Sequence, residues 1–286
     1  MGRPARASLA ATLALLLIGA AGCAATDSTA AAAAAGDCAK EKLRLVTGGQ
    51  LTIGTDKPAY EPWFKNDDPA GGQGYEAAVA YAIAEDLGFR RDEVKWTVVA
   101  FNDSYAPGRK KFDFDVNQIS ITAERIKNVS FSDGYYTVNQ AVVALNNSKI
   151  ANLSTINELR QAKLGTQVGT TGVTFINQVI KPQNAPITYV DTSAAKVAMA
   201  AGQVDGIVTD LPTAFYLTSA EIENSRIVGQ FEPQGGSTEQ FGLLFEKSNP
   251  LVGCVNQALT ELRSTGELQR LEDTWLADSA GAPRLG

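Results

Sequence analysis

The sequence predicts an α/β protein made of two similar halves, with the chain crossing between them twice. Three observations lead there. Apolar residues 51–55 and 94–101 flank a stretch, 74–87, whose apolar residues recur at three to four, which is the strand–helix–strand unit of a parallel sheet. A second series of the same kind starts at Leu164. The last stretch, 250–276, has helical spacing and contains Cys254, whose pairing with Cys38 would bring the chain back to the first half.

The chain opens on a segment that is not part of the fold. Arg3 and Arg6 form a basic start, residues 9–18 are a short apolar run, and small residues follow, so 1–22 is a targeting signal too short to span a bilayer comfortably. Ala20-Ala21-Gly22-Cys23 resembles the bacterial lipobox, which implies lipid on Cys23 as the mature N-terminus; ordinary secretory cleavage nearby is the alternative. Residues 23–40 are expected to be a flexible tether, being rich in alanine, threonine and serine without an apolar face. In an exported protein Cys38 and Cys254 form an even pair, hence an expected disulfide, with two unrelated buried thiols as the alternative.

In the first half, a strand over 51–55 ends at Asp56, and a loop exposing Tyr60, Trp63 and Phe64 follows. The helix over 74–87 stops at Gly88, and strands are expected at 94–101 and 112–116, the latter from the alternation of Phe112, Phe114 and Val116 with polar residues. Residues 140–145 make a further apolar strand. The second half repeats the syntax: strand at 164–168, polar turn, helix at 173–180, short strand at 188–190, helix at 192–201, and a strand at 206–208 ending near Asp210. A strand at 241–245 leads back to the helical 250–276, broken at Gly266. The crossings are placed near 141–145 and 241–245, giving one discontinuous lobe of 41–142 and 243–278, a second lobe of 143–242, and a tail of 279–286. Two crossings make a hinge, and a crevice between lobes is where strand carboxyl ends meet.

Residues 112–136 concentrate the chemistry. After the strand, Thr122 stands where a helix N-cap belongs and Arg125 falls on the first turn, an arrangement suited to one carboxylate; a solvated surface charge is the competing reading. The chain has no histidine, which excludes His-based triads and leaves no zinc cluster, and no Gly-rich phosphate cradle. Its net charge is −6, or −8 without Arg3 and Arg6, which argues against nucleic acid as a partner.

With these pieces in order, the sequence resembles the extracytoplasmic solute-binding proteins of polar amino-acid ABC transporters, family 3. LTIGTD, GYEAAVAYAIAEDLGF, ISITAERIKNVSFSDGYY, VGTTG, AAGQVDGIVTD and LTELRSTGELQRLEDTWL match that family's order, and ISIT-x-x-R before FSD-x-YY is the most specific. The resemblance implies a two-lobed, type II periplasmic-binding-protein (Venus-flytrap) fold that closes on a free amino acid and delivers it to a permease and its ATPase. It implies no cofactor and a monomer anchored outside the cell membrane through Cys23. Carried over by position, Arg125 would clamp the α-carboxylate with backbone N–H groups of Ser120 and Thr171. Asp210 would take the α-ammonium, helped by Ser120 Oγ and the Gln118 carbonyl. Asp56, Tyr60 and Trp63 would line the side-chain pocket, with Tyr105 or Phe101 as an aromatic platform.

Each role has a plainer competitor: Asp210 or Thr171 as a helix N-cap, Tyr60 or Trp63 as loop packing. Asn117-Gln118 departs from the small hydroxyl residues frequent in the family, which bears on ligand choice. Two other functions fit the resemblance. One is a dehydratase or lyase on the same scaffold, needing a general acid for which Asp56, Glu61 and Glu239 are candidates; the other is a lipoprotein that signals to a membrane receptor.

Overall fold

The computed structural model describes Gly2 and residues 38–231, 238–276 and 282–285. The targeting signal, Cys23 and nearly all of the tether lie outside the described residues, as does part of the tail. In chain order the elements are β1 (Leu51–Thr55), α1 (Tyr75–Asp86), β2 (Val94–Val98), α2 (Phe101–Ser104), β3 (Phe114–Asp115), α3 (Ala123–Asn128), β4 (Val129–Phe131), β5 (Tyr136–Val138) and β6 (Gln140–Leu145). There follow β7 (Leu164–Gln167), α4 (Thr171–Phe175), β8 (Ile187–Tyr189), α5 (Thr192–Ala200), β9 (Gly206–Asp210), α6 (Leu211–Tyr216), β10 (Ser225–Phe231), β11 (Glu239–Phe241), β12 (Leu244–Glu246), α7 (Leu251–Ser264) and α8 (Glu267–Trp275).

Two five-stranded sheets result, ordered β2-β1-β3-β12-β4 and β10-β6-β9-β7-β8. In the first, β1 runs parallel to β2 and β3 while β12 is antiparallel. In the second, β7 runs parallel to β8 and β9 while β6 is antiparallel to β9 and β10. The mixture reflects two short returns of the chain among otherwise parallel crossover units. Between the sheets, β5 and β11 pair antiparallel, with Tyr136 opposite Phe241 and Val138 opposite Glu239. These are the two crossings. Since β6 belongs wholly to the second sheet, the first crossing lies at Val138 to Gln140, earlier than the expected 141–145.

Helices α1, α7 and α8 pack together over the first sheet around Ile53, Tyr75, Val79, Ile83, Val255 and Leu259, all fully buried. Cys38 and Cys254 form a disulfide that fastens the start of the folded chain to α7. The second sheet has apolar clusters built around Val142, Leu164 and Ile176, and around Val143, Met199 and Ile207.

Several expected elements are shorter. The strand from residue 94 stops at Val98, and α2 begins at Phe101, because the Asp56 carboxylate draws the Phe101 N–H at 3.1 Å and turns the backbone. The strand expected over 241–245 is two pieces separated at Gly242, where a Cβ would crowd Ile121 and Phe131. Strand β10 was not foreseen. It joins the antiparallel edge of β6 with a shift in register between Ile227 and Gly229, so its alternation is broken. Among the described residues no helix is long and apolar enough to cross a membrane.

Candidate functional site

The parallel strands of both sheets end facing one another, and the segments leaving those ends line a cavity of about 60 Å³. Residues of both halves line it.

On the first-half wall, the segment after β3 turns at Gln118, whose φ of 48° is unusual for a residue with a side chain. A buried carboxylate holds that turn. Glu76 Oε1 accepts the Gln118 N–H at 2.7 Å, while its other oxygen takes the Gln118 side-chain amide and the Tyr135 hydroxyl donates to Oε1. Glu76 is fully buried, and burial pushes its pKa up to about 7.

The turn delivers the chain to α3. Thr122 Oγ1 accepts the Arg125 N–H at 3.2 Å, so the cap expected from sequence forms and Arg125 stands on the first turn. Its guanidinium is not a solvated surface charge, for the residue is only 7% exposed. Nη1 donates to the Ser120 carbonyl at 2.7 Å and Nη2 to the Gly169 carbonyl at 2.9 Å. Tyr105 and Phe101 lie 4.7 and 5.3 Å from it, ring centroid to Cζ. Burial lowers its pKa from the ordinary arginine value, but a guanidinium stays charged.

On the second-half wall, β9 ends at Asp210. Its Oδ1 accepts the Thr213 N–H at 2.8 Å, which caps α6, and Pro212 fits the first turn of that helix. The carboxylate also lines the cavity, so capping and facing a ligand coexist in one side chain. Burial raises its pKa to about 6. Thr171 is the first residue of α4, Thr170 being the cap residue. Gly169, just before, has φ of 78° and lies against the first half: a Cβ there would strike Asn102 Oδ1 and the Tyr105 hydroxyl.

Of the residues singled out from sequence, Asp56, Tyr60, Gln118, Ser120, Arg125, Thr171 and Asp210 line the cavity together. Asp56 accepts the N–H groups of Lys57 and Phe101, and burial raises its pKa. The Tyr60 hydroxyl meets Ser193 Oγ and N at 3.3 Å across the halves. Trp63 does not reach the cavity. It is fully buried behind the wall, donating from Nε1 to Thr213 Oγ1 at 2.9 Å, with Tyr136 and Phe241 edge-on at 5.4 and 5.5 Å. Phe101 lines the cavity, whereas Tyr105 lies outside it against the guanidinium.

Two site residues were not assigned to ligand binding from sequence. Gln140 opens β6 and lines the cavity; a polar residue at the head of the apolar run QAVVAL is the signal that marks it. Glu239 accepts from the hydroxyls of Ser120 and Thr171 at 2.5 and 2.6 Å. Nothing near it in sequence points to either partner.

Residues 51–278 match the model of the bacterial extracellular solute-binding proteins, family 3. The chain is 26% identical over 231 residues to the L-cystine-binding protein TcyJ of Escherichia coli strain K12, covering 79% of this chain and 82% of that protein. Among solved structures, an ancestral arginine-binding protein bound to glutamine superposes with a TM-score of 0.67 at 27% identity, over 80% of this chain and 98% of that one. The ancestral amino acid-binding protein AncCDT-1, a precursor of cyclohexadienyl dehydratase, does so with a TM-score of 0.65 at 27% identity, over 79% and 95%.

Proposed function

Because this chain belongs to the bacterial extracellular solute-binding proteins of family 3, we propose that it captures a free amino acid between its two halves and delivers it to an ABC permease and its ATPase. The observation that carries the reading is that Arg125 and Asp210 face one small cavity from opposite halves. A zwitterion needs a planar cationic donor for its carboxylate and an anion for its ammonium, and only closure brings the two within reach of one ligand. In this reading Arg125, Ser120 and Thr171 take the carboxylate, Asp210 and the Gln118 carbonyl take the ammonium, and Asp56, Tyr60 and Phe101 surround the side chain. The pairing of β5 with β11 is the hinge. Relatives described as binding L-cystine or arginine support an amino acid as the ligand class.

The protein is read as a binder and not an enzyme, in line with relatives described as binding proteins. The likeness to AncCDT-1 makes turnover worth measuring. We place the protein outside the cell membrane, lipid-anchored, on the strength of the lipobox-like sequence ending at Cys23, and read it as a monomer by its resemblance to the family. Labelling with a palmitate analogue, lost in Cys23→Ala, checks the anchor.

A thermal-shift screen of the purified protein against the free amino acids tests the function. At least one raises the melting temperature, since a ligand at about 100 times its Kd adds about 2.7 kcal/mol to the folded state. Mass spectrometry should recover that ligand unchanged. A well-folded sample that no amino acid stabilises overturns the reading.

A further inference from the structure

Glu239 stands on the hinge strand β11, and its side chain lines the groove that adjoins the cavity at Arg125 and Thr171. Its Oε1 accepts from Ser120 Oγ at 2.5 Å and from Thr171 Oγ1 at 2.6 Å. The side-chain amide of Gln140 donates to its two oxygens at 3.4 and 3.2 Å. Ser120 belongs to the first half and Thr171 to the second, so one carboxylate holds both walls of the cleft. Each hydroxyl has a single proton to give. A hydroxyl that donates to Glu239 has none left for a ligand. The negative charge also bears on Arg125, whose guanidinium it stabilises from nearby. A ligand carboxylate brought to Arg125 would meet repulsion from it.

We infer that Glu239 is a latch across the cleft, which a ligand must break to bind. Through the Ser120 and Thr171 hydroxyls it holds the halves together, and it is released for binding. The inference rests on the proposed capture of an amino acid and adds to it a residue that sets affinity. Its position makes this separable from folding. The strand pairing of Glu239 with Val138 uses backbone groups, and the side chain is only partly buried, so its removal leaves the hinge ladder intact.

The test uses the purified protein, unfolded, dialysed and refolded to strip bound ligand. Small-angle X-ray scattering compares the wild type with Glu239→Ala, and titration calorimetry follows both with L-arginine, L-glutamine and L-cystine. Glu239→Ala is expected to have a larger radius of gyration without ligand. It should also bind whichever probe the wild type binds about tenfold more tightly, because the fraction of binding-competent molecules rises. An unchanged radius, or an affinity equal to or below the wild type's, overturns the inference; loss of affinity would make Glu239 a ligand contact instead. Should no probe bind either protein, the scattering comparison still decides the latch, and that failure counts against the proposed ligand class alone. If Glu239→Ala does not fold, Glu239→Gln, which keeps the shape without the charge, is judged by the same two readouts.

Discussion

Arg125 donates to the Gly169 carbonyl at 2.9 Å, so the side chain assigned to a ligand's carboxylate also joins the two halves of the chain. The contact depends on how closely Gly169 approaches the first half. Its φ of 78° favours glycine, and a Cβ would strike Asn102 and Tyr105. Gly169→Ala should therefore impede closure more than folding. Titration with a bound amino acid is expected to show at least about a tenfold loss of affinity, with a stability cost of about 1–2 kcal/mol for the left-handed backbone.

Asp210 has two roles that one substitution separates. Asn caps helices as well as Asp does, so Asp210→Asn should retain the bond to the Thr213 N–H and melt within about 1 kcal/mol of the wild type. Without the negative charge, affinity for the ammonium group should fall by about 10- to 100-fold. Calorimetry and thermal denaturation on the same sample check both expectations.

The buried carboxyls make stability depend on pH. Glu76 titrates at about 7 in the folded protein, against 4.5 as its ordinary value. An acid raised in this way favours the folded state while protonated, so its contribution is full below about pH 4.5 and is lost as pH rises through about 7. The loss is on the order of 3 kcal/mol. Burial raises Asp210 and Asp115 as well, adding to the same slope. Denaturant titrations at pH 5 and pH 7.5 should show lower stability at the higher pH, and a smaller fall in Glu76→Gln.

The Cys38–Cys254 disulfide closes a loop with a sequence separation of 216. Chain entropy alone assigns such a loop about 5 kcal/mol. Reduction, or Cys38→Ser with Cys254→Ser, is expected to cost about 3–5 kcal/mol in urea unfolding. Because the bridge fastens the chain start to α7, away from the cleft, the affinity of the folded protein should not change.

What the sequence revealed, and what it concealed, follows from how local each feature is. Thr122 and Arg125 are three residues apart, so their cap and the position of the arginine could be read directly. The strand ends at Asp56 and Asp210 were legible for the same reason. Trp63 was misplaced because an aromatic in a Pro-rich loop gives no sign of whether it faces a ligand or a core; its contacts with Tyr136 and Phe241 are long-range. Strand β10 was missed because the shift between Ile227 and Gly229 breaks its alternation. Glu239 could be named only as one acid among several. Its partners Ser120 and Thr171 lie 119 and 68 residues away and meet it only after both crossings are made.

Whether Arg125 and Asp210 jointly hold a free amino acid is decided by titrating Arg125→Ala with whichever amino acid stabilises the wild type. Circular dichroism on the same sample should show the fold retained. Affinity should fall by at least about 100-fold, the cost of leaving a buried carboxylate without its cation. Undiminished binding by the folded variant would contradict this and place the site elsewhere.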